Sequence, residues 1–276
     1  MINPEILQKA SPLNNACITA EYQLYIPTQM FRYKLNKSRY LFAVAPRNNP
    51  RGFSLVELLV VISIISLLLA ILMPALSKTK ATAMRLKCVH NLKQINIAVE
   101  LYINGNDNTY PCANDPLPPG YWLWMGRGWR GFVEPYLGGD IEANNPSVLY
   151  CPRDRISKEK YDSTSYSYSM AFYHTPQQID DMNDFSDTWT NPQPGVPQRG
   201  FSVAHPSAKI LIGEWHSNHL PAEGNPGWWS WLGRRNYLFA DGHVIYLKAK
   251  QIRQANDEWP DANLTVHGIK GIDYQP

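Results

Sequence analysis

The sequence predicts an α+β chain: a long N-terminal helix, membrane-spanning in its first half, packed on a small antiparallel β-sheet head with long loops. Three observations predict it. Phe53–Met73 (FSLVELLVVISIISLLLAILM) is an apolar run with one charge, Glu57. Behind it Met84, Cys88, Leu92, Ile95, Val99 and Tyr102 recur at spacings of three and four, one stripe of an amphipathic helix. Beyond Gly105 the chain turns rich in Gly, Pro, Trp and Tyr and switches to period-two and hairpin patterns.

The elements follow in order. Residues 1–52 hold seven Lys/Arg (Lys9, Arg32, Lys34, Lys37, Arg39, Arg47, Arg51) against Glu5 and Glu21, and read as a basic leader. Met30 is an alternative start. Residues 53–73, as helix, span about 30 Å, the thickness of a bilayer's hydrocarbon core. Pro74 removes a ladder hydrogen bond and should bend or loosen the helix there. Residues 74–104 continue as the amphipathic half, and Asn104-Gly105 supplies the stop. A helix over 54–104 would be about 76 Å long. No small domain buries such a rod, so its first half needs lipid or sister helices and its second half a packed head. Cys88 reads as a small buried apolar residue of the stripe. His90 and Asn91 lie off the stripe.

The head covers 105–276. Ser165–Phe172 alternates, with Tyr166, Tyr168, Met170 and Phe172 on one face. Lys209–Glu214 reads as a more buried strand. Residues 236–240 and 243–247 flank Asp241-Gly242, whose tolerance of positive φ predicts a hairpin with a type I′ turn. Residues 174–200 read as a long surface loop.

Composition excludes several classes. The chain has 276 residues, 44% hydrophobic and 18% charged, so a folded chain with a core is expected rather than disorder. Net charge is +3, too small to argue for nucleic acid as a partner. One apolar run against a negative mean hydropathy excludes a polytopic membrane protein. The chain is anchored once or secreted after cleavage.

The stretch Arg51-Gly52-Phe53-Ser54-Leu55-Val56-Glu57 departs from an ordinary secretory signal. A Gly-Phe junction precedes the apolar core, where a secretory signal places its cleavage site after it. A carboxylate inside the membrane costs about 2.5–3.5 kcal/mol on insertion scales and should have a cationic partner. Cleavage between Gly52 and Phe53 would create one, a new α-amine. A plain anchor with an accidental acid, or a conventional signal cut near Ala81-Thr82-Ala83, accounts for fewer of these coincidences.

Gly52, Phe53, Glu57, the apolar run and Pro74 resemble the class III signal of type IV prepilins and type II secretion pseudopilins. The resemblance implies that a prepilin peptidase cuts after Gly52 and N-methylates Phe53. It implies that Glu57 pairs with the Phe53 amine of a neighbouring subunit, and that the fold is pilin-like. The implied partners are the peptidase, sister subunits in a homo- or hetero-filament, membrane lipid and an inner-membrane assembly or secretion platform driven by a cytoplasmic ATPase. The implied location is the inner membrane, single-pass, with the head outside the cytoplasm. Charge does not fix that orientation, because Lys78, Lys80, Arg85, Lys87 and Lys93 follow the span. Residues 88–110, Leu149-Tyr150-Cys151-Pro152 and residues 236–243 also look like a pilin-like subfamily with a C-terminal motif of His, nine residues and Asp-Gly. Here Trp231 stands where that His would be, with His216 and His219 further upstream.

Candidate chemistry is sparse. Cys112 and Cys151 are the candidate disulfide pair for an oxidising compartment. No CxxC spacing occurs, which disfavours structural zinc. Glu214, His216, His219, Asp241 and His243 are candidates for a divalent cation, calcium included, but turn chemistry explains Asp241-Gly242 without a ligand. The expectation is no cofactor and no metal. There is no phosphate loop and no nucleophile elbow, so no enzyme is expected; a hydrolase built on the His/Asp/Glu residues ranks last. The alternative function is a membrane-tethered glycan-binding module using Tyr121–Trp124, Trp129, Trp228, Trp229 and Trp231. The aromatics read first as core filling for a head short of aliphatics.

Overall fold

A computed structural model describes residues 52–112, 129–138, 147–156, 164–184, 186–190, 193–219, 227 and 230–275. Residues 1–51 of the leader, Tyr121 and the tryptophans at 122, 124, 228 and 229 lie outside the described residues. Contacts divide the chain into a unit over Met1–Ser54 and a unit over Leu55–Pro276, and the second carries the fold.

One helix, α1, runs over Leu55–Gly105 and stays helical through Pro74. At 1.5 Å per residue it is about 76 Å long. Every residue from Phe53 to Lys80 is exposed, including the large aliphatics from Leu55 to Leu76. Ser63 donates its hydroxyl to the Leu59 carbonyl at 2.7 Å, so this polar group is satisfied within the helix. Beyond residue 87 the helix changes character: Cys88, Asn91, Leu92, Ile95, Ala98, Val99 and Ile103 are buried. The predicted stripe therefore holds from Cys88 to Val99. Its ends are only half buried at Met84 and Tyr102. Asn91, expected off the stripe, is buried because its amide donates to the Tyr150 carbonyl at 3.1 Å and meets the Tyr166 hydroxyl at 3.4 Å. After Gly105, Asp107 and Asn108 adopt positive φ and Asn108 N returns to the Ile103 carbonyl, ending the helix.

Four strands form one antiparallel sheet in chain order: β1 (Tyr166–Tyr168), β2 (Ile210–Glu214), β3 (Arg234–Phe239) and β4 (Val244–Lys248). The helix covers one face. Cys88, Leu92, Ile95, Ala98 and Val99 join Tyr166, Tyr168, Ile212 and Leu238 in the main core. The C-terminal segment covers the other, where Tyr237, Phe239 and Leu247 pack with Ile252, Ala262 and Tyr274. Asp273 ties that segment down: its carboxylate lies 3.2 Å from Lys209 Nζ and accepts from Ile210 N at 2.6 Å, all buried.

Three expectations for the head need correction. β1 ends at Tyr168, and Met170–Phe172 is a 3₁₀ turn capped by the Ser169 hydroxyl. Ser165, Ser167 and Ser169 are as buried as the aromatics between them, because both faces are covered and alternation carries no inside-outside signal. The hairpin forms where expected, but with a three-residue loop. Leu238 pairs with Val244, Phe239 N donates to His243 O, and Gly242 N donates to Phe239 O. Only Gly242 takes positive φ, at +83°, so the turn is not type I′. A Cβ at Gly242 would also sit 2.7 Å from Asn96 Nδ2 of α1, so that amide would have to shift to accommodate one. Finally, the segment 174–200 contains a short helix, Pro176–Asp181, closed by a capping box between Thr175 and Gln178 and burying Ile179.

Candidate functional site

Two regions concentrate unusual chemistry. The first is the start of α1. Gly52 and Phe53 precede the helix and are exposed, and Glu57 lies in its first turn. An acid in the first turn complements the helix dipole. The 21 residues from Phe53 to Met73 form an uncovered apolar rod, and α1 is long and apolar enough to cross a membrane.

The second region is the contact between stem and head. Arg85 lies over the Tyr246 ring at 4.9 Å, and Lys93 Nζ donates to the Gly242 carbonyl at 2.6 Å. Between these contacts, four buried side chains from separate parts of the chain converge: Cys88 of α1, Cys151 of the 147–156 loop, Glu214 at the end of β2 and His219 just past it. Their ligand atoms all lie within 4.8 Å of one another. Cys88 Sγ stands 2.7 Å from Cys151 Sγ, Cys151 Sγ lies 3.4 Å from His219 Nε2, and His219 Nε2 lies 2.9 Å from Glu214 Oε1.

The surroundings hold these groups in place. Asn236 N donates to Glu214 Oε2 at 2.8 Å and Asn236 Nδ2 to Oε1 at 3.0 Å. Cys151 N donates to the Ser165 hydroxyl at 2.9 Å. The Cys88 thiol donates to Cys151, which pushes Cys88 well up and lowers Cys151 to about 7 against the opposing effect of burial. Burial works against a charged His219, but its contacts with Cys151 and Glu214 outweigh burial and raise it to about 9.

This cluster corrects two sequence expectations. Cys151 faces Cys88 rather than Cys112, because the loop carrying Cys151 packs on the helix stripe. Of the cation candidates, only Glu214 and His219 join the quartet. Asp241 and His243 pair with each other in the exposed hairpin turn. His216 is buried and itself forms an isolated antiparallel bridge with Gly227, outside the set. Sequence reasoning missed both thiols as partners of Glu214 and His219. The spacings of 63, 63 and 5 residues match no local motif, and the one usable signal was Cys88 within a buried stripe. The aromatic expectation divides. Trp129 and Trp215 are buried as core, whereas Trp231 is partly exposed.

Comparison with known proteins fits the first region. The family described as "Prokaryotic N-terminal methylation motif" matches residues 47–73. The type IV major pilin protein PilA of Myxococcus xanthus (strain DK1622) is 29% identical over 126 residues, 46% of this chain and 54% of that protein. The chain thus spans about half the length of this curated relative. No solved structure matches it. The prepilin-type motif, the pilin relative and a long apolar helix on a small antiparallel sheet together make the chain similar to type IV pilins.

Proposed function

We propose that the chain is a structural subunit, processed after Gly52 and N-methylated at Phe53, that assembles through residues 53–73 into a type IV pilus or a type II secretion pseudopilus-like filament. The observation that carries this reading is the exposed apolar stretch from Phe53 to Met73, which begins at a Gly-Phe junction and holds Glu57 as the fifth residue of the mature chain. An apolar surface of that length is stable only in lipid or against copies of itself. A carboxylate within the hydrocarbon costs free energy, and in a filament Glu57 would lie near the Phe53 amine of a neighbouring subunit, an ion pair that low dielectric strengthens. The precursor waits in the inner membrane with its head outside the cytoplasm. Prepilin peptidase, sister subunits and an assembly platform act on it in turn.

N-terminal mass spectrometry of the chain from its native membrane tests the reading. A mature terminus at methylated Phe53 is expected. A terminus near residue 84, or an uncut chain, refutes it.

A further inference from the structure

We propose that Cys88, Cys151, Glu214 and His219 form a structural zinc site that clamps the helix stem to the head. The inference stands on the geometry of the quartet and is independent of filament assembly.

The donor set fits zinc. Two sulfurs, one imidazole nitrogen and one carboxylate oxygen are ligands that a tetrahedral Zn²⁺ accepts, and four protein ligands make a closed structural site. Bonds of about 2.3 Å to sulfur and about 2.0–2.2 Å to nitrogen and oxygen separate the ligands by about 3.3–3.8 Å. The four donors lie within 4.8 Å of each other; to admit an ion the two sulfurs, 2.7 Å apart, must open by about 1 Å and the His219–Glu214 pair, 2.9 Å apart, by about 0.5 Å, which side-chain rotation can supply. Calcium is a poor match, because it requires six to eight oxygens and the set offers two sulfurs.

A disulfide between Cys88 and Cys151 would use two of the four groups. It would give no reason for a carboxylate and an imidazole to be buried against the same sulfurs. A cation gives all four one purpose. The outer contacts fit as well: Asn236 fixes the Glu214 carboxylate through two hydrogen bonds, as the partners of metal ligands commonly do. Nor is this the arrangement of a cysteine nucleophile. Cys151 is 3% exposed and a second thiol stands 2.7 Å away. The quartet joins α1, the 147–156 loop and β2, so an ion there would cross-link the three pieces that meet beneath the stem.

The test uses the full chain in detergent, reduced, stripped with a chelator and titrated with ZnCl₂ alone. One zinc per chain is expected, with a rise in thermal midpoint. Cobalt(II) in place of zinc should show thiolate charge-transfer absorption and the intense visible bands of a tetrahedral site. Glu214→Gln retains an oxygen for Asn236 and should fold, yet bind zinc at least ten-fold more weakly; Cys151→Ser should do the same. If Cys151→Ser fails to fold, the cobalt spectrum of the unaltered chain and Glu214→Gln still decide. No zinc uptake, an octahedral cobalt spectrum without thiolate absorption, or unchanged affinity in folded Glu214→Gln overturns the proposal. So does a Cys88–Cys151 disulfide in the chain isolated from its native membrane.

Discussion

Glu57 and Asp261 are both acids in places that disfavour charge, and they differ in what resolves it. Glu57 sits in the apolar rod, where its proposed partner is another chain's amine. Glu57→Ala should leave cleavage after Gly52 intact and reduce filament incorporation at least ten-fold, read by shearing and immunoblotting; normal incorporation would remove the pairing argument. Asp261 is buried in the head. Its Oδ1 accepts from Asn263 N and Nδ2 at 2.7 and 2.9 Å, while Oδ2 is buried with no hydrogen-bond partner among the described residues. Burial first, and then the charge of Asp257, hold this carboxyl well above the usual carboxylate range. The folded chain therefore holds this proton to higher pH than the unfolded chain does. Stability from this residue is present below the unfolded value and falls as pH rises towards the folded one. Asp261→Asn, which cannot ionise, should stabilise the head at pH 7, because it removes the cost of keeping this buried carboxyl protonated. The gain should vanish near pH 4, close to the ordinary carboxylate value. Denaturant titrations at the two pH values check it, and an equal gain at both would contradict the assignment.

At the scale of the element, α1 is two helices in one. From Cys88 to Ile103 it is a core helix, and up to Lys80 it has no cover at all. Substitutions of the same kind should separate the halves. Leu92→Ala empties a fully buried position and should cost the head about 2–5 kcal/mol. Leu68→Ala, at an exposed position, should leave head unfolding unchanged. Denaturant midpoints of both variants in detergent provide the measurement. The hairpin was legible in Asp241-Gly242, but its turn type was not. Loop length follows from how β3 and β4 pair, with Leu238 opposite Val244, and that register is not local information. The alternation of Ser165–Phe172 misled for a related reason. Period two marks a sheet with one wet face, and this sheet is covered on both.

At the scale of the whole molecule, the described contacts place the folding core between Cys88 and Tyr274 and leave the apolar rod outside it. A chain beginning at Ser77 retains every buried residue of α1. It should be soluble and monomeric without detergent, whereas the chain beginning at Phe53 should require lipid or detergent. Sedimentation of the two forms tests this, and aggregation of the shorter one would show that the rod supports the head.

What the sequence determined alone is the part written in contiguous residues. The Gly52-Phe53 junction, Glu57, the apolar run, the stripe on α1 and the hairpin all lie within a few helical turns or strand pairs, where spacing maps directly onto geometry. Only the tertiary structure decided that Cys151 meets Cys88 and not Cys112, and that Glu214 and His219 join them while Asp241 and His243 stay apart. That choice depends on how a helix, a loop and a strand end pack together across more than a hundred residues, and no local pattern of spacing encodes such a meeting.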